Sequence, residues 1–351
     1  MNLMEYLQKA AKDGASDVFL VPGAIVSYKL EGHLLPMDGE KLMPQRSEEL
    51  ISGLYELAQR DMEGYRKTGD DDYSFSVPGL ARFRVNAYRQ RGSMAAVIRV
   101  VAFSIPDSRE MGIPEAVMSL AEETGGMVLL TGTAGSGKST TLACIIDRIN
   151  RSRACHIITL EDPIEYLHRN QKSIVSQREI AVDTSDCLSA LRACLRQAPD
   201  VIQLGEMRDL ETIRTAMTAA ETGHLLLATL HTRGAVNTID RIIDTFPADQ
   251  QEQIRIQLST VLKTVISQQL LPDVDGGQVP AFEILHMNSA VKSMVRDCKT
   301  HQILGVIAAG AAEGMRSMDQ SVFELYQAGR ITKQTALQYA DNPEQMARRM
   351  G

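Results

Sequence analysis

The sequence predicts an α/β protein of two domains, and three observations carry that prediction. The chain has 351 residues, and domains of roughly 150 residues make two the natural division. Up to about residue 104, short strand-like runs alternate with helical stretches, an α+β pattern. From Pro114 onward, short fully apolar runs alternate with helices, the pattern of a mostly parallel sheet covered on both faces.

The elements follow in order. Met1–Lys12 is an amphipathic helix ending near Gly14. Asp17–Leu20 and Ile25–Leu30 are strand-like, with Glu31-Gly32 as a hairpin turn. Ser47–Tyr65 has helical periodicity through Leu50, Ile51, Leu54 and Leu57. Asp72–Val77, Ala81–Tyr88 and Met94–Val101 are three β-like runs separated by Pro78-Gly79 and Arg91-Gly92. These make an N-terminal domain of residues 1–104. Residues 105–113 carry proline and glycine with little periodicity and are expected to be a linker. Residues 114–351 form the second domain. It starts with a helix at Glu115–Glu122 and the apolar strand Met127–Thr131, followed by a glycine-rich loop and a helix from Lys138. Then come the strand His156–Leu160, a helix over Thr184–Gln197, and the strands Val201–Leu204 and Leu225–Thr229. Beyond about residue 236 the chain is expected to be largely helical, interrupted by the strand Val279–Ile284.

Composition narrows the class. Hydrophobic residues at 44% and charged residues at 23% exclude a disordered or low-complexity chain. No apolar run approaches the ~20 residues of a membrane helix, and the N-terminus lacks the pattern of a secretory signal. The five scattered cysteines, without a CxxC pair, fit reduced thiols in a cytoplasm and not a zinc ribbon. A net charge of −7 argues against a mainly electrostatic nucleic-acid binder.

Gly132-Thr133-Ala134-Gly135-Ser136-Gly137-Lys138-Ser139 matches G-x-x-x-x-G-K-[ST] between an apolar strand and a helix. The glycines let successive backbone N–H groups face one anion, and the helix N-terminus adds positive potential. Lys138 is expected on the β- and γ-phosphates of a nucleotide and Ser139 on Mg²⁺. Val201–Leu204 leads through Gly205 to Glu206, an acidic residue at a strand's C-terminal edge, where phosphates and metal would lie. Glu161, Asp162 and Glu165 follow the strand ending at Leu160; three carboxylates there suit water activation or Mg²⁺ coordination. His224 and His231 bracket one buried strand and are candidates for sensing a γ-phosphate. Gln203, polar within a doubly covered strand, is expected to find a side-chain hydrogen bond. Arg82 and Arg84 alternate with apolar residues and so project from one strand face, with Arg89, Arg91 and Arg99 beyond them. Such a row could neutralise γ-phosphate charge, or form a solvated face.

Over essentially the whole chain, these segments resemble the secretion ATPases, and within them the type IV pilus retraction ATPases of twitching motility. The resemblance runs through GASDVFL, PGLARFRVNAYRQRG, TGTAGSGKSTTLA, ITLEDPIEYLH, LGEMRDLETIRTAMTAAETGH, LATLHT, TIDRIIDTFP and VISQQLL. It implies a PAS-like N-terminal domain joined by a flexible linker to a RecA-like P-loop ATPase core with C-terminal helices. It also implies a homohexameric ring that works with an inner-membrane platform protein at the inner face of the cytoplasmic membrane. On the matching positions, Gly132 to Thr140 form Walker A, and Glu206 is the Walker-B acid, supporting Mg²⁺ and the attacking water. Glu165 is the general base of an acidic box, His224 and His231 belong to a histidine box, and Arg82, Arg84 and Arg99 reach nucleotide across domains or subunits.

Three segments depart from the family pattern. Asp17-Val18-Phe19-Leu20 stands for the usual Asp-Leu-His-Leu, and Gln197-Ala198 stands where an acidic pair is usual. Ala290-Val291-Lys292-Ser293-Met294 replaces a common Ala-Ile-Arg-Asn-Leu, keeping one positive charge but losing the guanidinium fork and the amide. The alternative within the superfamily is pilus extension or type II secretion; those relatives usually carry a tetracysteine zinc insert and an extra N-terminal domain, absent from this sequence.

Overall fold

Asn2 opens the first helix, α1 (Leu3–Asp13), with a reciprocal cap: its side chain accepts from Glu5 N at 2.9 Å, and Glu5 accepts from Asn2 N at 2.7 Å. The computed structural model describes residues 1–30, 32–101 and 104–351. They divide into two compact units, Met1–Ser104 with Glu165–Leu167, and Ile105–Ile164 with His168–Gly351.

In the first unit α1 is followed by β1 (Asp17–Leu20), β2 (Ile25–Leu30), β3 (His33–Lys41), α2 (Pro44–Leu57), α3 (Glu63–Thr68), β4 (Asp70–Val77), β5 (Ala81–Gln90) and β6 (Ser93–Val101). Among the described residues the strands form one antiparallel sheet in the order β3-β2-β1-β6-β5-β4. Alternation sets its two faces. Phe83, Val85, Ala87 and Ile98 bury against Leu7 of α1 and Leu50, Ile51 and Leu54 of α2. Arg82 and Arg84 take the opposite face. Two expectations change here. The helix foreseen over 47–65 is two helices, because Gln59 takes a positive φ of 50° and ends the first. β3 was not foreseen; its run His33–Lys41 contains Pro36 and Gly39, and most of it is exposed. Of the foreseen turn, Glu31 lies outside the described residues.

The second unit opens with residues 105–113, expected as a linker. Here Ile105 and Ile113 join an apolar cluster of this unit, and the Cys144 thiol donates to the Pro106 carbonyl at 3.4 Å. Then follow α4 (Glu115–Met118), which tightens into a 3₁₀ turn over Ser119–Glu122, β7 (Gly126–Thr131), α5 (Lys138–Ser152), β8 (His156–Glu161), β9 (Ile174–Glu179), α6 (Cys187–Cys194), β10 (Val201–Leu204), α7 (Leu210–Glu221) and β11 (Leu225–Leu230). The helix foreseen over 184–197 spans only α6, which starts where Asp186 caps Ser189 N at 2.8 Å. After β11 come α8 (Ala235–Asp244), α9 (Gln251–Val261), β12 (Leu262–Pro272), β13 (Gln278–His286), α10 (Ser289–Arg296), α11 (Ile303–Ala309), α12 (Met318–Gln327), α13 (Lys333–Tyr339) and α14 (Pro343–Met350).

The sheet order is β13-β12-β7-β11-β10-β8-β9, parallel throughout except for the β12–β13 hairpin. Apolar clusters cover both faces: Ile145, Ile146 and Ile149 of α5 on one, Ile213 and Met217 of α7 with Ile239 and Ile242 of α8 on the other. The mainly parallel α/β core is therefore as expected. The largely helical character expected beyond residue 236 is corrected by β12, an eleven-residue strand paired directly with the phosphate-loop strand β7. Its buried Ser267, Gln268 and Gln269 interrupt the apolar run that would have marked it. Among the described residues no helix is long and apolar enough to cross a membrane.

Candidate nucleotide site

Parallel strands carry their C-terminal ends to one sheet edge, and the chemistry gathers there. Thr131 ends β7, and the glycine-rich loop runs from Gly132 to Gly137 into α5. Gly132 has φ 143°, and a Cβ on it would lie 2.3 Å from the Gln268 carbonyl oxygen and 2.7 Å from Ser136 Oγ. No side chain fits, so the residue must be glycine for the loop to close. Lys138 is nearly buried at 7% exposure and bends back over the loop, where its Nζ donates to the carbonyls of Gly132 at 2.9 Å and Thr133 at 2.8 Å. The ammonium is thus held inside the curl of the loop.

The loop fits a polyphosphate by its own chemistry. Ser136 is buried, and its hydroxyl has no hydrogen-bond partner among the described residues. α5 begins without a side-chain cap, so its first N–H groups remain to be satisfied by an anion. Ser139, on the first turn, is exposed, as a metal-binding hydroxyl must be. Thr133, Ala134 and Gly135 form the exposed crest of the loop, and Thr140 follows Ser139 at intermediate exposure.

Glu206 lies at the same edge. β11 separates β10 from β7, so the ends of those two strands stand about 10 Å apart. Gly205 N donates to Leu160 O at 2.7 Å, and a Cβ on Gly205 would come within 3.3 Å of that oxygen and 3.4 Å of Glu161 Cα. This close approach draws the Glu206 segment against the end of β8. Thr229 Oγ1 donates to the Gly205 carbonyl, and Met207 N donates to Thr229 O at 3.1 Å, pinning the segment from the other side. The Glu206 carboxylate accepts from Arg208 Nε at 2.6 Å and lies 3.4 Å from His231 Nε2. Arg208 also stands 4.0 Å from Asp162. Asp209 then caps α7, accepting from Thr212 N at 2.9 Å. Burial works to raise its carboxyl, but hydrogen bonds from the Thr212 amide and hydroxyl prevail and hold it below the usual carboxylate range.

The acidic segment after β8 separates into different roles. Glu161 accepts from Thr159 Oγ1 at 2.6 Å and Gln177 Nε2 at 3.1 Å. Asp162 and Glu165 are exposed. Among the described residues no three His, Cys, Asp or Glu side chains assemble a metal site. Magnesium bound with a nucleotide needs only one or two protein oxygens beside phosphate and water, and the exposed Ser139 hydroxyl and the Glu206 carboxylate are oxygen donors of that kind. Gln203 is buried, but its Oε1 has no hydrogen-bond partner among the described residues, against the expected bond.

The two histidines part company. His231 follows the C-terminal end of β11, beside Glu206. His224 precedes the other end, six residues of strand away, or about 20 Å. Its Nδ1 lies 2.9 Å from Ala219 O and 3.1 Å from Thr222 Oγ1, at the C-terminus of α7. The parallel register puts His224 on the opposite edge of the sheet from the phosphate loop of its own chain.

In the first unit, β5–β6 register places Arg84 directly opposite Arg99, a like-charge pairing that costs a few tenths of a kcal/mol to about 1. Arg99 Nε is 3.1 Å from Asp17 Oδ1, and Arg82 Nη1 donates to Ser76 Oγ at 3.3 Å. The alternation in the sequence revealed the common face of the arginines; the Asp17 partner comes from a strand 82 residues away and left no local signal. Arg208 and Gln268 were missed at the site itself. Arg208 sits within the Glu206 motif, whereas only the folded sheet brings Gln268 to the loop.

With this geometry the chain matches known proteins along its length. A family model described as type II/IV secretion system protein matches residues 1–342. The type IV pilus retractation ATPase PilT of Pseudomonas aeruginosa is 41% identical over 345 residues, covering 98% of this chain and 99% of that protein. A twitching motility protein of Neisseria gonorrhoeae is 45% identical over 308 residues, covering 87% and 82%. The crystal structure of the pilus retraction motor PilT with bound ADP superposes with a TM-score of 0.89 at 42% identity and covers 99% of both chains. The chain belongs to the type II/IV secretion system protein family, with that family's α/β ATPase fold.

Proposed function

We propose that the chain is an ATP-hydrolysing motor that powers retraction of type IV pili, acting as a homohexameric ring. The observation that carries the reading is the single sheet edge holding the Lys138 loop, Glu206 and His231. Its support is the end-to-end similarity to the retraction ATPase of Pseudomonas aeruginosa.

The loop amides and Lys138 hold the phosphates, Ser136 supplies a buried hydroxyl, and Ser139 with Glu206 would hold Mg²⁺. Mg²⁺, when bound there, would supply neutralisation of phosphate charge. Glu165 orients or deprotonates the attacking water. Glu206 begins paired with Arg208, so rotation of that guanidinium releases the carboxylate toward the phosphates. Arg82, Arg84 and Arg99, on this chain or a neighbouring subunit, answer the γ-phosphate charge, and its loss on hydrolysis drives the motion that does the mechanical work. Around a ring these changes turn an inner-membrane platform protein and return pilin to the membrane, with the motor peripheral to the cytoplasmic face.

The test is complementation of a strain lacking pilus retraction, alongside phosphate release by the purified protein and light scattering for the hexamer. The wild-type chain restores twitching and releases phosphate; Lys138→Ala does neither. Phosphate release without restored twitching moves the motor to extension or secretion, and equal phosphate release by Lys138→Ala defeats the site assignment.

A further inference from the structure

The segment VISQQLL contains a buried amide that the catalytic reading leaves unused. Gln268 lies on β12, one residue beyond the Ser267–Thr131 pair, so it flanks the first residue of the phosphate loop. It is 3% exposed. Three of its atoms meet the loop and the helix that follows it. Its carbonyl oxygen lies against Gly132, where a Cβ would stand 2.3 Å away. Its Nε2 lies against Gly137, where a Cβ would stand 2.8 Å away. Its Oε1 accepts from Thr141 Oγ1 at 2.8 Å, on the first turn of α5. One residue from another strand thus touches both ends of the loop and the helix that follows.

Neighbouring Ile266 projects from the same strand face into the apolar cluster beneath α5. An aliphatic residue at 268 would continue that cluster; an amide there requires hydrogen-bond partners to offset its burial. Thr141 provides one. The uncapped start of α5 needs its first turn fixed so that its N–H groups converge on an anion. The Thr141–Gln268 bond ties that turn to β12, which is itself paired with β7.

We infer that Gln268 is a positioning residue for nucleotide binding: it sets the curvature of the Gly132–Gly137 loop and the orientation of the first turn of α5. The inference rests on the phosphate-loop reading proposed above. Its signature is in affinity. Removing the amide loosens the cradle and raises KM for ATP and Kd for ADP together, while kcat at saturating ATP changes little.

The experiment uses the full chain and titrates ADP in the presence of Mg²⁺, with steady-state ATP turnover in parallel. Gln268→Met, close in volume, raises Kd about tenfold. Gln268→Glu keeps an acceptor for Thr141 but places a carboxylate beside the loop, and weakens ADP binding further. Thr141→Val raises Kd, Thr141→Ser restores it, and Thr141→Val adds less than about twofold in the Gln268→Met background, because both remove one interaction. Ile266→Val controls for loosening of β12: it lowers thermal stability and leaves Kd unchanged. Wild-type Kd in Gln268→Met, or an equal rise in Ile266→Val, overturns the inference. Should Gln268→Met not fold, the Thr141→Val and Thr141→Ser pair decides alone: no rise in the first, or no recovery in the second, overturns it. Lys138→Ala is run beside them. If it binds ADP as the wild type does, the phosphate-loop reading fails; if it loses ADP while the Gln268 and Thr141 variants keep it, only this inference fails.

Discussion

The two edges of the seven-stranded sheet are built from the same strands and do opposite work. At the C-terminal edge, Gly132 has no space for a side chain and Gly205 has little, and Arg208 and His231 both lie within hydrogen-bonding or ion-pair reach of Glu206. At the N-terminal edge, His224 closes the end of α7 through Ala219 O and Thr222. One strand, β11, carries a histidine at each end, and the backbone direction alone decides which can meet a phosphate on its own chain. Residue type is therefore a weaker guide than strand polarity.

The strongest way to break this contrast is to neutralise the charge at the active edge. Glu206→Gln keeps the shape and can still accept from Arg208, but it removes the carboxylate proposed to support Mg²⁺ and the attacking water. Turnover should fall by about 10² to 10⁴-fold, while ADP affinity stays near wild type. Rapid-quench measurement of single-turnover hydrolysis isolates the chemical step. Wild-type hydrolysis would remove Glu206 from the mechanism and leave its contacts with Arg208 and His231 as structural.

How much of this was visible beforehand follows from where each constraint resides. The phosphate loop was legible because its geometry is local: glycines at fixed spacing, a strand before and a helix after. The arginine face of β5 was legible through strict alternation. β12 was not, because Ser267, Gln268 and Gln269 place three polar residues in succession on a buried strand. Their partners are distant in sequence: Gly234 N donates to Ser267 Oγ, Thr141 Oγ1 to Gln268 Oε1, and Arg233 Nη2 to Gln269 Oε1. The difference between His224 and His231 was also hidden. Both flank the same apolar run, and only the parallel register with β7 assigns them to opposite edges.

A third histidine sharpens the contrast, because it bears on the pH dependence of stability instead of either edge's contacts. His168 lies in the connection from β8 to β9, where burial holds its imidazole down to about 4 and its Nδ1 has no hydrogen-bond partner among the described residues. In the unfolded chain an imidazole titrates near 6.5. Between those values the unfolded state binds a proton that the folded state refuses, so stability rises with pH across the window and falls as pH drops from about 6.5 toward 4. The full difference amounts to about 3 kcal/mol. Urea unfolding at pH 7 and pH 5 captures about 2 kcal/mol of it. His168→Gln should flatten the acid side of the stability profile by a corresponding part of that amount. An unchanged slope in the variant would place the acid sensitivity elsewhere.

The smallest expected effect tests strand polarity directly. His224→Gln removes an imidazole contact at the end of α7, and by the loss of one hydrogen bond should cost about 1 kcal/mol in unfolding free energy. Because His224 sits a strand's length from the phosphate loop of its own chain, turnover in a dilute, dissociated preparation should stay at the wild-type level. His231→Gln in the same preparation should lower turnover, since its imidazole adjoins the Glu206 carboxylate. Repeating both at concentrations that assemble the oligomer separates two meanings of an edge. If His224→Gln then loses activity as His231→Gln does, the N-terminal edge reaches a nucleotide on a neighbouring subunit, and polarity divides the two histidines only within a chain. If it remains active, His224 is a helix-closing residue in every state. The resemblance between the two strand ends would then reflect only the short apolar strand they share.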